Sequence, residues 1–227
     1  MSEFIITIDG PAGSGKSTIA KMIASKFDAA FLDTGAMYRA ATLAAMMDGT
    51  DLSDQNRIIE IIDNAVFDFK SSSNGMAVQI DGADVTSKIR DPKVTANTRY
   101  VAVIPAARER LVDMQRKFAK KYKKIVTEGR DQGTIVFPNA NVKFYLTADI
   151  NERARRRHIE LKANGITPSE DEIRKSIIQR DQSDESRLVG PLKPADDAII
   201  IDTTALSIQE VVEKLANYII QRCPNKK

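Results

Sequence analysis

Nine consecutive residues, Gly10, Pro11, Ala12, Gly13, Ser14, Gly15, Lys16, Ser17 and Thr18, meet the spacing G-x-x-x-x-G-K-[ST]. The residue types explain the spelling. Glycines let the backbone wrap closely around phosphate oxygens with its N–H groups turned inward, and a following helix adds its positive N-terminal end. Lys16 then reaches the outer phosphates, and the Ser17 hydroxyl is placed to ligate Mg²⁺. This is chemistry for holding a nucleoside triphosphate.

A second set of groups complements the first. Arginines and carboxylates collect in Asp33 to Arg39, Glu128 to Thr134, Glu152 to Arg157 and Arg180 to Arg187. Three of these groups directly follow short apolar runs, and the fourth precedes one. Arg153, Arg155, Arg156 and Arg157 crowd into five positions and would repel one another unless anions sat among them, so we expect phosphates there. His158 is the single histidine and Cys223 the single cysteine, so His-cluster and Cys-rich metal sites and an intrachain disulfide framework are excluded. A reduced compartment, the cytoplasm, is the simplest expectation.

The elements that must position these groups are legible in outline. Near-continuous apolar runs at Phe4 to Ile8, Ala30 to Leu32, Ile125 to Thr127, Val142 to Thr147 and Ala198 to Ile201 suit parallel strands covered on both faces. Between them, helical spacing recurs at Ile19, Met22, Ile23 and Phe27, at Leu111, Met114, Phe118 and Tyr122, and at Ile208, Val211, Val212, Leu215, Tyr218 and Ile219. Strand and helix in alternation predict an α/β fold with a parallel sheet. The segment Phe67 to Val85 departs from this. Its Asn74-Gly75 and Asp81-Gly82 pairs predict tight turns of a small antiparallel insert. A length of 227 residues suits one domain with an insertion. No run is apolar for long enough to span a membrane, and the first residues lack the pattern of a secretory signal. The net charge of +3 is too mild to point to a nucleic-acid partner. No Asn-Lys-x-Asp guanine reader is present, which argues against a GTP switch.

Taken with their order, Ile6 to Lys16, Asp33 to Arg39, Gly129 to Pro138, Arg180-Asp181 and Gly190 to Ala198 make the chain resemble, almost end to end, the bacterial cytidylate (CMP) kinases of the nucleoside monophosphate kinase group. The resemblance implies a three-layer P-loop fold: a five-stranded parallel sheet, a small antiparallel β insert in the monophosphate-binding region, and a short arginine-rich lid. The expected boundaries are a core of 1–62 and 97–227, an insert of 63–96 and a lid of 153–187. The implied activity moves the ATP γ-phosphoryl group to CMP or dCMP by direct in-line transfer with Mg²⁺. A kinase for UMP or AMP, or a nucleotide-dependent regulator without turnover, is the alternative. The expected partners are these small molecules, with no nucleic acid and no membrane, and the expected state is a monomer.

The resemblance also implies roles. Residues 10–18 hold ATP, and Lys16, Arg130, Arg153 and Arg157 act on the transferring group, the last two from the lid. Arg39, Arg130 and Arg187 hold the phosphate of the monophosphate, with Tyr38 and Gly129 beside them. Arg180 and Asp184 lie at the ribose, an i,i+4 salt bridge being the structural alternative. Thr34, Arg108 and Asp131 read the base. Ser17 and Asp33 position the metal, although Asp33 in this place could equally cap the following turn. Two positions depart from the family pattern: Glu128 stands where many relatives carry Asp, and Arg99 where a small polar residue is expected beside the base.

Overall fold

The computed structural model describes residues 4–72, 75–163, 165 and 168–224. In chain order it runs β1 (Phe4–Asp9), α1 (Lys16–Lys26), β2 (Ala30–Asp33), α2 (Thr34–Asp48), α3 (Gln55–Asn64), β3 (Phe67–Ser72), β4 (Gly75–Ile80) and β5 (Ala83–Asp84). A 3₁₀ turn (Lys88–Arg90) precedes α4 (Pro92–Ala102), α5 (Pro105–Tyr122) and β6 (Lys124–Gly129). A π-helical turn (Gln132–Val136), β7 (Val142–Thr147), α6 (Ile150–Ala163), α7 (Glu170–Glu185), β8 (Ile199–Asp202) and α8 (Ile208–Arg222) complete it.

The five expected core strands form one parallel sheet in the order β2-β6-β1-β7-β8. From β1 the chain builds outward on one side with β2 and β6, then on the other with β7 and β8. Such a change of direction opens a crevice at the carboxyl ends of the strands, where ligands bind in open α/β sheets. Several strands run past their apolar stretches, and the added residues are Asp9, Asp33, Glu128 and Asp202. Apolar patterning stops at the first charge, but sheet hydrogen bonding continues, and the carboxylates are thereby delivered to the crevice.

Alternation along the strands divides the core between two layers. Ile5, Leu32 and Ile125 pack against α2, α3 and α5 on one face. Ile6, Ile8, Phe31, Val126, Phe144 and Ile201 pack against α1 and α8 on the other. Helix starts are specified locally: Asp33 accepts from the N–H of Ala36 at the start of α2, and Ser169 with Glu172 and Ser207 with Glu210 form reciprocal capping boxes at α7 and α8.

The antiparallel insert is present as β3-β4-β5. Asp81 and Gly82 both have positive φ, 50° and 80°, as a tight hairpin turn requires. Asn74 of the other expected turn lies outside the described residues. Phe69, Met76, Val78, Ile80, Val85 and Ile89 of this region belong to the same apolar core as α2 and α5. Position 63 falls within the last turn of α3 and position 96 within α4. The segment expected as the lid falls on the pair α6 and α7, whose buried apolar residues are Ala154, Ile173 and Ile177, with Ile150, Leu161 and Ala12 packed alongside. Among the described residues no helix is long and apolar enough to cross a membrane.

Candidate active site

The donor side is built on the turn between β1 and α1. Gly10 cannot be replaced there, because it has φ 147° and a Cβ would stand 2.0 Å from the Leu146 carbonyl oxygen. The first residue of α1 follows Gly15, and no side chain caps this helix, so its first N–H groups are left for an anion. The Lys16 ammonium is buried and donates to the Pro11 carbonyl at 2.6 Å, with Ser14 Oγ 3.4 Å away. Burial, reinforced by Arg130 and Arg180, pushes the Lys16 pKa down to about 7, against the opposing pull of Glu128 and Asp184. An arriving phosphate would reverse that balance. Ser17 and Thr18 face outward in the first turn of α1.

Ser17 Oγ donates to Glu128 Oε1 at 2.8 Å. Asp33 neighbours Glu128 across the β2/β6 pairing. Its Oδ1 caps α2, and its Oδ2 faces Arg39 at 3.4 Å and Arg90 at 3.8 Å. The expectation that Ser17 and Asp33 share the metal is revised accordingly: the carboxylate touching Ser17 is Glu128. Among the described residues no three His, Cys, Asp or Glu side chains cluster as a metal site. One hydroxyl and one carboxylate still fit Mg²⁺, a hard cation that usually takes one or two protein oxygens and completes its shell with water and substrate phosphate.

The lid arginines are neutralised within the chain, which corrects the expectation that their crowding requires bound phosphates. Glu152 takes Arg155 and Arg156 at 2.7 and 2.8 Å, Asp181 takes Arg153, and Glu160 faces Arg157 at 2.7 Å. Three of these pairs lie within α6 at i,i+3 or i,i+4 spacing, and only Asp181, the partner of Arg153, comes from a different helix. Arg153 also donates to the carbonyls of Ala148 and Ala12, each at 3.0 Å, so it braces the phosphate loop. Arg156 is fixed on Thr203, at 2.9 Å from its hydroxyl and 2.6 Å from its carbonyl oxygen. Arg157 keeps 38% of its side chain exposed and is the most accessible of the four after Arg155.

The acceptor side gathers residues from five separate elements. Asp184, 2% exposed, bridges two arginines: Arg130 Nε donates to its Oδ2 at 2.7 Å, and Arg187 pairs with its Oδ1. Asp184 thus pairs with Arg130 and Arg187 rather than with Arg180, the helix pair that stood as the structural alternative to a ribose role. Burial works against charge on Asp184, but Arg130, Arg187 and Arg180 outweigh it and hold the carboxyl below its usual range. For Arg130, burial is likewise outweighed, by Asp184, Glu128 and Asp181, so its pKa is raised. Arg180 stays open to solvent at the mouth of the crevice. The buried Nε atoms of Arg39, Arg108 and Arg187 have no hydrogen-bond partner among the described residues. Guanidinium donors in such excess over carboxylates suit phosphate oxygens.

Deeper in, Arg108 forms a buried ion pair with Asp131 and lies 5.5 Å from the centre of the Tyr38 ring. Burial raises the Tyr38 hydroxyl pKa, the nearby Arg108 opposing it, so the phenol stays protonated. Thr34 Oγ1 donates to the Glu128 carbonyl at 2.7 Å, which leaves its lone pairs able to accept. Gly190, at φ 63°, presses its loop onto the pair: a Cβ there would lie 2.2 Å from Asp131 Oδ2 and 2.5 Å from Arg108 Nη2. Arg99 lies outside this group. It is exposed and stacks on Tyr100, 5.0 Å from the ring centre.

Two site residues escaped the sequence reading. Asp9, at the end of β1, is buried and accepts from the N–H groups of Gln132 and Gly133 at 2.9 and 2.7 Å. Burial pushes its carboxyl up to about 7, and Asp131 adds to this; the two N–H donors and Lys16 oppose it. Asp181 of α7 is the other. A carboxylate at a strand end was the available signal for Asp9; Asp181 stood in the Arg180-Asp181 motif, which by itself assigns it no partner.

A family model described as cytidylate kinase matches residues 6–221. A cytidylate kinase of Geobacillus sp. (strain WCH70) is 46% identical over 217 residues, covering 96% of each chain. One of Limosilactobacillus reuteri (strain DSM 20016) is 46% identical over 215 residues and 94% of each chain. Among solved structures, an uncharacterised protein from Eubacterium ventriosum ATCC 27560 superposes with TM-score 0.52 at 15% identity over 97% of this chain and 99% of that one, a likeness of fold.

Proposed function

The chain belongs to the cytidylate kinase family, and on that premise we propose that it transfers the γ-phosphoryl group of ATP to CMP and dCMP, giving ADP with CDP or dCDP. The observation that carries this reading is the second anion clamp: Asp184 holds Arg130 and Arg187 side by side at the same sheet edge as the phosphate loop. A protein that merely bound ATP would have no use for it.

The acceptor's own phosphate oxygen attacks, so the side chains contribute position and charge stabilisation. Residues 10–18 cradle the donor phosphates. Lys16 leaves the Pro11 carbonyl to follow the transferring group. Arg39, Arg130 and Arg187 fix the acceptor phosphate, and Asp184 keeps two of these guanidinium planes in register. Arg180 adds charge at the mouth and, with Asp184, lies where the ribose would pass. Thr34, Arg108 and Asp131 meet the base, Tyr38 lies along it, and Gly129 permits close approach. Arg157 reaches the donor from the lid, with Arg153 as its brace. Ser17 and Glu128 would hold Mg²⁺, which when bound neutralises charge on the donor phosphates. Residues 63–96 serve as the monophosphate-binding insert and 153–187 as a lid that excludes water. The same reading takes the protein as a cytoplasmic monomer acting on small nucleotides, without a nucleic-acid or membrane partner.

Cytosine selectivity follows from the Arg108–Asp131 pair. Asp131 can accept from the N4 amino group, as carboxylates do elsewhere, while Arg108 donates to N3 or O2. Uracil would set its O4 against the carboxylate and its N3–H against the guanidinium. Coupled ADP release over a panel of monophosphates tests the reading. CMP and dCMP should give the highest kcat/KM, and turnover with UMP or AMP equal to CMP would overturn it.

A further inference from the structure

Helix α7 touches both halves of the site within one turn. Asp184 engages the acceptor arginines. Asp181, 8% exposed, engages the donor loop: its Oδ1 accepts from the Ala12 N–H at 3.1 Å, and its Oδ2 pairs with Arg153. Arg153 in turn donates to the Ala12 carbonyl at 3.0 Å. Two lid side chains thus hold both peptide groups flanking one residue of the phosphate loop. The methyl of Ala12 joins the small apolar cluster of Ala154, Ile173 and Ile177. Next to it, a Cβ at Gly13 would lie 3.2 Å from Arg153 Cβ.

We propose that Asp181 is a positioning residue that couples the two nucleotide sites, transmitting occupation of the Arg130–Asp184–Arg187 clamp to the phosphate loop through Ala12. Residues three apart share a helix face, so a shift of α7 that follows Arg130 and Arg187, both paired with Asp184, onto an acceptor phosphate must carry Asp181 with it. The Ala12 peptide groups move together, because one is held by Asp181 and the next by Arg153. Coupling of this kind is reciprocal: each nucleotide tightens the other by the same factor. The inference deepens the kinase reading and rests on it for the identity of the sites, but not on which base is read.

The experiment is calorimetric titration of a non-hydrolysable ATP analogue with Mg²⁺, in the absence and presence of a saturating monophosphate. The monophosphate is whichever one the panel shows the wild type to phosphorylate. Wild type should bind the analogue more tightly when the acceptor is present. Asp181→Ala should bring that ratio close to 1, a loss of about 10-fold, the size of one charge-assisted hydrogen bond, while monophosphate affinity alone changes less than about threefold. In steady state the KM for ATP and the KM for the monophosphate, each measured with the other substrate saturating, should rise together by that factor. Asp181→Asn keeps an acceptor for the Ala12 N–H and should retain an intermediate ratio; it also serves if the alanine variant fails to fold. A wild-type ratio of 1, an unchanged ratio in folded variants, or a loss of monophosphate affinity larger than the loss of coupling would overturn the proposal. Coupling with a nucleotide other than CMP would overturn the base assignment and leave this inference standing.

Discussion

The donor and acceptor halves of the crevice handle the same chemical group in different ways. The donor half is local: residues 10–18 supply backbone N–H groups, a lysine and a hydroxyl from one turn and the helix that follows it. The acceptor half is assembled from α2, α5, the loop after β6, α7 and the loop beyond it, and two of its main contacts join residues far apart in sequence. Arg130 and Asp184 are 54 positions apart, and Arg108 and Asp131 are 23. A contiguous loop suits a phosphate chain, which every triphosphate shares. Side chains from several elements suit a ligand that must be told apart from close relatives, because they can meet its phosphate, sugar and base from different directions.

The contrast can be broken most directly at Lys16. Replacing Lys16 by Ala should lower kcat by at least about 10²-fold through lost charge stabilisation at the transferring group, and a near wild-type kcat in a coupled ADP assay would remove it from that role. On the acceptor side, Asp184→Ala frees Arg130 and Arg187 and should cut kcat/KM for CMP by about 10- to 100-fold, with ATP affinity changed little. Equal losses for both nucleotides would mean that the halves are not separable at this residue. Asp131→Ala should reduce kcat/KM for CMP about 10-fold while sparing UMP; parallel losses would show that the Arg108–Asp131 pair only holds the pocket together.

Asp9 joins the halves, since β1 leads into the phosphate loop while the Asp9 carboxylate holds the turn after Arg130 and Asp131. Its folded pKa of about 7 lies above the 3.8 of a free aspartate, so the native state binds the extra proton. The resulting stabilisation is complete below about pH 4 and is lost as pH rises through 7. Wild type should therefore lose about 2–3 kcal/mol of stability relative to Asp9→Asn between pH 5 and 8, measured by urea unfolding, and parallel curves would disprove it. The smallest expected effect is at Arg157, where substitution by Ala should raise KM for ATP about threefold, since an exposed ion pair contributes little.

The strands were legible because each is a short apolar run, as with Val142 to Thr147, which the fold reproduces to the residue, and burial on both faces holds for all but the edge strand β8, where Ile200 is exposed. The insert was legible from Asp81-Gly82, whose positive φ values that dipeptide accommodates. The phosphate loop was legible because its ligand groups are sequential and backbone geometry dictates their spacing. Helices α2, α3 and α4 did not announce themselves. α2 buries a face of alanines, Ala36, Ala40, Ala41, Ala44 and Ala45, with little hydrophobic contrast to read.

Charged residues carried the opposite lesson. The family resemblance implied that Arg39, Arg108, Arg130, Asp131, Arg180, Asp184 and Arg187 share one site, but not their pairing. The sequence by itself determined the parallel sheet, the donor loop and the residue types of the acceptor site, because hydrophobic period and local backbone conformation act over a few neighbouring residues. Only the tertiary structure decided that Glu128 meets Ser17, that Asp181 holds Ala12 and Arg153, and that Asp184 bridges Arg130 and Arg187. A charge has no periodicity of its own, and its partner is whichever opposite charge the folded chain brings within a few ångströms.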